Sequence, residues 1–270
     1  MNLTDDQIRR YARHIVLPEI GGVGQARLLA AKVLVVGAGG LGSPLLLYLA
    51  AAGIGTLGIV DFDRVDPSNL QRQVLFDEAA TGELKVDAAA ARLAALNPGV
   101  LVRRHALRLD SRNVRDLVRD YDLVADGSDN IETRRAVHDA CMAAGRPLVA
   151  AAVQGTDGQL TTYKAYLGPP HPCLRCLFPD APAREALPSC AQAGVLGPAA
   201  GVMGCLQAVE VVKELLGPPA PSLSGTLLLY DAMAARLDRL QVRRLPECAL
   251  GCRHGGITAD GSEANKISAV

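Results

Sequence analysis

The feature that most constrains the fold is a run from Val33 to Val60 that contains no charged residue. By hydropathy alone, an uncharged run of this length could be a transmembrane helix. However, the run contains seven glycines and one proline, grouped between two segments rich in Val, Leu and Ile. Because glycine and proline interrupt a helix but suit a turn, we predict a buried strand, a glycine-rich turn, a helix and a second strand instead.

The rest of the chain alternates in the manner of β-α-β units. From "KVLVV" at Lys32 to "PLVAAAV" ending at Val153, five strand-like segments are separated by segments with helical character. Further on, "GQLTTYKAY" alternates with a period of two, which is typical of a half-exposed antiparallel strand. A long helical segment and the late strands "TLLLYD" and "RLDRLQV" follow. The predicted fold class is therefore α/β: a doubly wound, Rossmann-like, mostly parallel sheet with a mixed antiparallel extension.

No convincing linker divides the chain, so we expect a single domain over residues 1–253. Its first 30 residues would form an N-terminal helical arm, in which Thr4 to Ile15 is one short helix with a capping box between Thr4 and Gln7. Residues 254–270 are polar and rich in glycine, which is typical of a disordered tail.

Composition disfavours several classes of protein. Twenty-eight basic residues balance twenty-eight acidic ones, so neither a nucleic-acid coat nor a polybasic membrane binder is expected. Trp is absent, and six Tyr and three Phe provide few rings for base stacking or an aromatic membrane belt. The N-terminus shows no apolar segment typical of a secretory signal. We therefore expect a cytoplasmic protein that has neither a nucleic acid nor a membrane as its partner.

The segment "GAGGLG" satisfies the pattern G-x-G-x-x-G through Gly37, Gly39 and Gly42. It lies between a predicted strand and a predicted helix, where glycine lets the backbone turn tightly and approach a phosphate. Asp61 ends the second strand, where a carboxylate can accept a hydrogen bond from a ribose hydroxyl. The alternative is a glycine-rich turn without a ligand, but this context favours nucleotide binding.

A polar segment after the second strand indicates the kind of nucleotide. Two cations and two amides would lie near the mouth of the predicted nucleotide site. They are Asn69, Arg72 and Gln73, together with Lys85 at the start of the next helix. Fixed donors of this kind neutralise the charge of a triphosphate during displacement at phosphorus. Taken singly, Arg72 or Lys85 could equally be an ordinary solvated charge.

The segment "DGSDN" follows the fourth strand at the carboxyl edge of the sheet, where ligands bind in open α/β folds. Asp129 there could hold Mg²⁺, with Asp126 in support. The same segment could instead be a turn in which Asp129 or Asn130 caps the next helix. The glycine motif alone favours an NAD(P)-dependent oxidoreductase, but that class leaves Arg72, Lys85 and Asp129 unexplained.

Six motifs, in this order, extend the interpretation: "GAGGLGS", "DFDRVDPSNLQRQ", "LKVDAA", "DGSDN", "HPCLRCLFP" and "SCAQAGVLGP". From about Ile8 to about Cys252 the chain resembles the MoeB/ThiF/HesA family of sulfur-carrier adenylyltransferases, prokaryotic relatives of ubiquitin-activating enzymes. The resemblance implies that ATP is used to adenylate the C-terminal Gly-Gly carboxylate of a small ubiquitin-like sulfur carrier, with release of pyrophosphate. The reaction would serve molybdopterin, thiamine or related sulfur-transfer biosynthesis. A catalytically idle scaffold that docks the carrier is an alternative, against which the phosphate-site residues argue.

The resemblance also implies roles for individual residues. Gly40 and Asp61 would bind the adenosine portion, and Asp129 would carry Mg²⁺. Arg13 would reach into the site of a partner subunit, so a homodimer is expected. The phosphates would be contacted by Ser68, Asn69, Arg72 and Lys85. The whole set expected at the nucleotide is Gly37, Gly39, Gly40, Gly42, Asp61, Ser68, Asn69, Leu70, Gln71, Arg72, Lys85, Asp129 and Asn130.

Four cysteines form two close pairs, in which Cys173 and Cys176 are C-x-x-C and Cys248 and Cys252 are C-x-x-x-C. The family normally has C-x-x-C at the second pair as well, but zinc tolerates either spacing. We therefore expect a structural zinc site of closed four-cysteine type. His254 is an alternative to Cys252 as the fourth ligand.

Cys190 resembles the loop cysteine with which some relatives form a thioester, or a persulfide-derived link, to the carrier. A thiolate there could attack the acyl-adenylate, although a lone loop cysteine is often inert. The chain ends soon after the second cysteine pair, without the C-terminal rhodanese domain of some relatives. Sulfur is therefore expected to come from a separate donor protein.

Overall fold

The computed structural model describes residues 3–179, 194–246 and 248. The strands within these residues are β1 Lys32–Val36, β2 Thr56–Val60, β3 Leu101–His105, β4 Leu123–Asp126, β5 Leu148–Gln154, β6 Asp157–Tyr163, β7 Thr226–Asp231 and β8 Arg236–Gln241. They form one sheet in the order β3-β2-β1-β4-β5-β6-β7-β8. The first five pair in parallel, and β6, β7 and β8 extend the sheet from β5 in antiparallel fashion. The predicted fold class is confirmed.

Helices cover both faces of this sheet. Their bounds are α1 Asp5–Arg10, α2 Ala12–Ile15, α3 Gly21–Ala30, α4 Gly42–Ala52, α5 Lys85–Leu96, α6 Val114–Arg119, α7 Ile131–Ala144, α8 Leu174–Leu177 and α9 Gly197–Leu216. One core includes Leu49 of α4, Leu93 of α5 and Met203 of α9. The core on the other face includes Val118 of α6 and Val137 of α7. A separate core on each face is what a doubly wound sheet requires.

The parallel strands converge at one edge of the sheet. β1 and β2 are buried almost throughout, as central parallel strands are. Their register pairs Val36 with both Val60 and Asp126, so the carboxyl ends of β1, β2 and β4 lie side by side. The strand order reverses between β1 and β4, and open α/β sheets bind ligands in the crevice at such a reversal.

The N-terminal arm differs in one respect from the prediction. The capping box is present, because Thr4 Oγ1 accepts from Gln7 N and the Gln7 side chain accepts from Thr4 N. However, the segment forms two helices, α1 and α2, rather than one. Tyr11 separates them because its side chain is buried and its hydroxyl accepts a hydrogen bond from Asn97. A tertiary contact thus overrides the local helical preference.

A buried carboxylate ties the antiparallel part of the sheet to α9. Glu210 of α9 accepts hydrogen bonds from Thr162 Oγ1 of β6 at 2.8 Å and from Leu223 N at 2.7 Å. These bonds offset the cost of burying a charge. On the same helix, a Cβ added at Gly204 would lie 2.4 Å from the carbonyl oxygen of Leu41. Helix α9 therefore packs directly against the glycine-rich turn.

The uncharged run Val33 to Val60 forms most of β1, the glycine-rich turn, α4 and β2, as predicted. Its apolar character follows from burial inside the protein. In the part of the chain that the structure describes, no helix has the length and apolarity needed to cross a bilayer.

Candidate nucleotide-binding site

Close backbone contacts shape the glycine-rich turn after β1. Gly37 has a φ of 89°, which side-chain-bearing residues rarely adopt, and its N–H donates to the carbonyl of Val60 at 2.8 Å. A Cβ added at Gly42 would lie only 2.0 Å from the Gly37 carbonyl oxygen. These two glycines therefore let the end of β1 and the start of α4 approach each other closely.

We expect Gly42→Ala to lower the melting temperature, because the turn must shift to admit the new methyl group. Overpacking of this kind costs about 1–3 kcal/mol, equivalent to about 2–12 °C for a domain of this size. The control is Gly201→Ala in α9, where an added Cβ meets nothing within 4 Å. Since Ala favours a helix over Gly, the control should be at least as stable as the parent. Thermal unfolding followed by circular dichroism measures both, and an unchanged Gly42→Ala variant would contradict the tight contact.

A cavity of about 610 Å³ opens beside the turn. Its volume suits a nucleotide, since small-molecule sites commonly occupy about 300–1,000 Å³. The predicted nucleotide residues that line it are Gly37, Gly39, Gly40, Asp61, Asn69, Arg72, Lys85, Asp129 and Asn130. The predicted residues that do not line it are Gly42, Ser68, Leu70 and Gln71. The fold thus brings four separate parts of the sequence to one cavity.

Asp61 is held rigidly at the end of β2. Its Oδ2 accepts a hydrogen bond from Ala38 N at 2.8 Å, and its Oδ1 accepts one from Asp63 N at 2.9 Å. Burial raises the pKa of this carboxyl above its ordinary value, against the opposing effect of nearby Lys85. A carboxylate has further lone pairs beyond these two bonds, so Asp61 can still accept from a ligand hydroxyl.

Two cations reach the cavity from different directions. Lys85 begins α5 and is buried, with its Nζ 3.0 Å from Asp63 Oδ2. Arg72 donates a hydrogen bond from Nη1 to the carbonyl of Ser68 at 3.2 Å. A Cβ added at Gly40 would lie 3.4 Å from Arg72 Cγ, so the arginine stem packs on the glycine-rich turn. Contacts with the protein therefore hold both cations beside the turn, and neither is an ordinary solvated surface charge.

The "DGSDN" segment forms the opposite wall. Buried Asp126 accepts a hydrogen bond from Ser128 N at 2.8 Å. Asn130 caps α7, since its side chain accepts from Thr133 N at 2.8 Å. The capping interpretation of this segment is therefore right for Asn130, while Asp129 presents an exposed side chain at the cavity.

Among the lining residues that the sequence did not predict are Phe62, Arg108, Arg134 and Arg135. The guanidinium of Arg108 lies 5.6 Å from the centroid of the Phe62 ring, next to Asp61. Arg134 donates to the carbonyl of Ser128 and to a carbonyl of β5, which holds the turn before α7. Phe62 could have been found from the sequence, because aromatic residues are rare in this chain and Phe62 directly follows Asp61. The arginines carried no such signal.

Three buried polar atoms of cavity-lining residues have no hydrogen-bond partner among the described residues. They are Gln73 Oε1, Ser128 Oγ and Gln159 Nε2. Buried polar groups are nearly always hydrogen-bonded in native proteins. The wall of the cavity therefore contains two acceptor-capable oxygens and one donor without a partner among the described residues.

Three cysteines form a cluster at α8, and none of them lines the cavity beside the glycine-rich turn. The sulfur of Cys173 is 3.6 Å from that of Cys176 and 3.1 Å from that of Cys248. All three cysteines are buried, and their Sγ atoms lie within 4.8 Å of one another. Such a set of three soft ligands could hold a metal ion. The expected fourth ligand, Cys252, and its alternative, His254, lie outside the described residues.

Arg13 on α2 is exposed and does not line this cavity. Cys190 lies outside the described residues. Both ends of the predicted single domain, at residues 1 and 253, and the predicted tail, residues 254–270, also lie outside them.

A Rossmann-like sheet, a glycine-rich turn, an acidic end to β2 and fixed cations at one cavity define a nucleotide-binding α/β protein. The family model described as the ThiF family matches residues 11–250. The chain belongs to the ThiF family, and the resemblance found in the sequence is confirmed.

Relatives from several organisms resemble the chain over most of its length. It is 49% identical over 250 residues to the sulfur carrier protein adenylyltransferase of Thermus thermophilus, covering 92% of each chain. It is 46% identical over 257 residues to the SAMP-activating enzyme E1 of Haloferax volcanii, covering 95% of this chain and 93% of that one. It is also 55% identical over 249 residues to the adenylyltransferase and sulfurtransferase MOCS3 of Bos taurus. That alignment covers 92% of this chain and 54% of the relative, so the chain spans about half the length of the MOCS3 proteins it matches.

Solved structures share the architecture. E. coli MccB in complex with MccA-N7isoAsn superimposes with a TM-score of 0.78 at 21% identity, covering 93% of this chain and 76% of that one. PaaA gives a TM-score of 0.74 at 25% identity, covering 90% and 76%. The likeness to MccB concerns the fold alone.

Proposed function

We propose that this protein is an ATP-dependent adenylyltransferase, which activates the C-terminal carboxylate of a ubiquitin-like sulfur carrier protein. The observation that carries the proposal is the cavity that brings together the glycine-rich turn, Asp61 and the two cations Arg72 and Lys85. Hydride transfer by an oxidoreductase would not need both cations at this position. The Thermus and Haloferax relatives, named for related activities, support the proposal because they match over nearly their whole length.

In the proposed reaction a carboxylate oxygen of the carrier attacks the α-phosphorus of ATP. The bond from that phosphorus to the bridging oxygen breaks, and pyrophosphate leaves with the electron pair. A carboxylate is a poor nucleophile towards a polyanion, so both must be held together while charge is screened. Arg72 and Lys85 would provide that screening, while Asp61 accepts from the ribose. No general base is required, because the carboxylate is already ionised at neutral pH.

Mg²⁺ would accompany ATP, and the residues present fit it. Asp129 exposes a carboxylate at the cavity, and carboxylate oxygens are preferred ligands of this ion. Asp126 already accepts from Ser128 N, so it suits a supporting role. When bound, the ion would neutralise part of the phosphate charge. Asp129 is therefore the proposed magnesium ligand.

The cysteine cluster fits a structural zinc ion, because zinc favours tetrahedral sites with thiolate ligands. Cys173, Cys176 and Cys248 would supply three of the four ligands. We propose Cys252 as the fourth, with His254 as the alternative. Thiolate ligands of this kind persist in a reducing compartment, which fits a cytoplasmic location.

A homodimer is proposed from the exposed apolar side chains of the helical layer. Helix α9 packs against α3 and α4. The large apolar residues exposed on this layer and the adjoining arm are Ile8, Val16, Leu17, Val23, Tyr48, Val202 and Val209. Exposed apolar side chains on neighbouring helices are typical of a protein interface where they form a patch. A second copy of the chain would cover them and bring its exposed Arg13 towards the first copy's cavity.

The later sulfur steps are proposed from the resemblance. Cys190 would capture the activated carrier as a thioester by attack on the acyl-adenylate, with AMP as the leaving group. A separate protein would donate sulfur. The pathway would be molybdopterin, thiamine or a related sulfur-transfer biosynthesis.

The test is intact-mass spectrometry of candidate carriers that end in Gly-Gly, after incubation with the protein and Mg-ATP. The expected result is a carrier that gains one AMP. An additional carrier–enzyme adduct that disappears in Cys190→Ala would assign that residue. A protein that fails to bind ATP would contradict the proposal.

A further inference from the structure

The side chains of Tyr11 and His14, on either side of Arg13, are hydrogen-bonded to the rest of the protein, whereas the Arg13 side chain is exposed. We call these two attachments the fastenings of the arm. The Arg13 side chain is exposed and makes no hydrogen bond or ion pair with the described part of the chain. Its neighbour Tyr11 is buried, and His14 is partly buried. The short helix α2 therefore presents one exposed cation from a fixed base.

The first fastening runs through Tyr11. Its hydroxyl accepts a hydrogen bond from Asn97 Nδ2 at 2.9 Å, and the same nitrogen donates to the carbonyl of Ala50 at 2.7 Å. Its ring lies against Gly53, where an added Cβ would be 2.5 Å from ring atoms. Asn97 is buried and directly follows α5, the helix that begins with Lys85 in the cavity.

The second fastening runs through His14. Its Nδ1 lies 3.1 Å from Gln25 Oε1, while Gln25 Nε2 donates to the carbonyl of Ala52 at 2.9 Å. The amide oxygen can only accept, so His14 Nδ1 carries the hydrogen and donates it. Gln25 is fully buried. Both fastenings end on Ala50 and Ala52, at the end of α4 that lies opposite the glycine-rich turn.

Two buried amides are a costly way to attach an arm that apolar packing alone could attach, because each must find all its partners. What polar networks add is a defined geometry. We propose that Tyr11–Asn97 and His14–Gln25 are positioning pairs, which hold Arg13 at the height and direction needed to enter the cavity of a second copy of this chain. The inference rests on the proposed function. It assigns no direct contact with ATP to these four residues.

Positioning matters because a displacement of about 1 Å at a reacting centre can cost about 100-fold in rate. An arm that must order itself at each encounter also loses binding free energy to conformational entropy. Breaking one fastening should therefore reduce the turnover number of adenylation by about 10- to 100-fold. The KM for ATP should change little, because Gly40, Asp61 and Lys85 belong to the other subunit.

The experiment uses mixed dimers of the full chain, purified through two different tags. One subunit, the arginine donor, carries Arg72→Ala, and the other, the cavity subunit, carries Arg13→Ala. Only the cavity subunit then has its own Arg72 together with an Arg13 from its partner, so each dimer contains one complete cavity. About half of the wild-type rate is therefore expected with the carrier that accepts AMP. The measured reaction is carrier-dependent exchange of pyrophosphate into ATP.

His14→Ala is then added to one subunit at a time. In the arginine donor it should lower the turnover number about 10-fold or more. In the cavity subunit it should leave the rate within about twofold, because that subunit's own arm is not used. His14→Asn in the donor should restore most of the rate, since Asn Nδ2 can donate to Gln25 Oε1 in place of the imidazole. Tyr11→Phe, which removes only the hydroxyl, should follow the directional pattern of His14→Ala.

Equal losses from both placements would mean that His14 is merely structural and would overturn the inference, as would no loss from either. A mixed dimer without activity, made from a protein whose wild-type form catalyses exchange, would show that Arg13 does not act across subunits. That result overturns the inference and leaves the proposed adenylation standing. A wild-type protein that binds no ATP overturns both.

Discussion

Lys85→Met is expected to reduce the rate of carrier adenylation by about 100- to 1,000-fold, the usual cost of removing one preorganised electrostatic contact from a transition state. Lys85 is the buried cation of the cavity, with its Nζ 3.0 Å from Asp63 Oδ2. Methionine retains most of the apolar stem but not the charge. The variant should still fold, because Asp63 is half exposed and water can solvate its carboxylate once the lysine is gone.

The matched control is Arg104→Met. Arg104 lies on β3, and its Nη1 is 2.9 Å from Asp87 Oδ1 on the helix that Lys85 begins. The substitution therefore also removes one cation and one ion pair at α5, but outside the cavity. Its rate should stay within about twofold, since exposed ion pairs contribute little. Both rates are measured by formation of AMP-carrier, with melting temperatures recorded in parallel. Equal rates for Lys85→Met and Arg104→Met would remove Lys85 from the mechanism.

The cavity residues on the side of the glycine-rich turn and β2 were predicted correctly from the sequence. Gly37, Gly39 and Asp61 lie within one β-α-β unit, where spacing along the chain translates directly into positions at the ends of neighbouring strands. Arg72 and Lys85 were found by their charge in a segment just beyond that unit. Their actual supports, the carbonyl of Ser68 and the carboxylate of Asp63, needed the structure.

The arginines on the opposite side of the cavity were missed for a physical reason. Arg108, Arg134 and Arg135 come from the loop after β3 and from α7, and arginines at such places are usually solvated. Nothing in a linear pattern tells a solvated arginine from one like Arg134, which donates to two backbone carbonyls in the cavity wall. Only the crossover geometry of the sheet brings these elements beside the glycine-rich turn.

The division of the N-terminal helix illustrates the same limit. Local signals, including the capping box at Thr4, favour a single helix through Ile15. Tyr11 ends α1 with φ −103° and ψ 16°, and its buried hydroxyl accepts from Asn97, eighty-six residues away. The local sequence does not contain so distant a contact, and the short helix α2, on which the exposed Arg13 lies, begins directly after Tyr11.

The second large effect is expected at the cysteine cluster. Cys173 lies at its centre, fully buried and close to both Cys176 and Cys248. A metal present at about 1,000 times its dissociation constant stabilises the folded state by about 4 kcal/mol. Cys173→Ser should therefore lower the melting temperature by about 8–16 °C and abolish stoichiometric zinc, measured by atomic emission on the purified protein.

The loss should also reach the nucleotide cavity. Arg175, between the two cysteines of α8, makes a bidentate ion pair with Asp139 at 2.7 and 2.9 Å. Despite burial, hydrogen bonds from His138 and Arg175 hold the pKa of Asp139 well below its usual range. His138 Nε2 also accepts from Leu174 N at 3.1 Å. These bonds join α8 to α7, whose first turn forms the cavity wall, so zinc removal should weaken ATP binding as well.

Cys205→Ser is the matched control, because Cys205 is a half-exposed free cysteine on α9, outside the cluster. It should retain zinc, melting temperature and ATP affinity. A chelator added to the parent protein should reproduce the Cys173→Ser result, and restoring zinc should reverse it, because metal binding and folding share one free energy. If Cys173→Ser melts with the parent and the parent holds no zinc, the three thiols are a buried apolar cluster, and α8 is held to α7 by the Arg175–Asp139 pair without a metal.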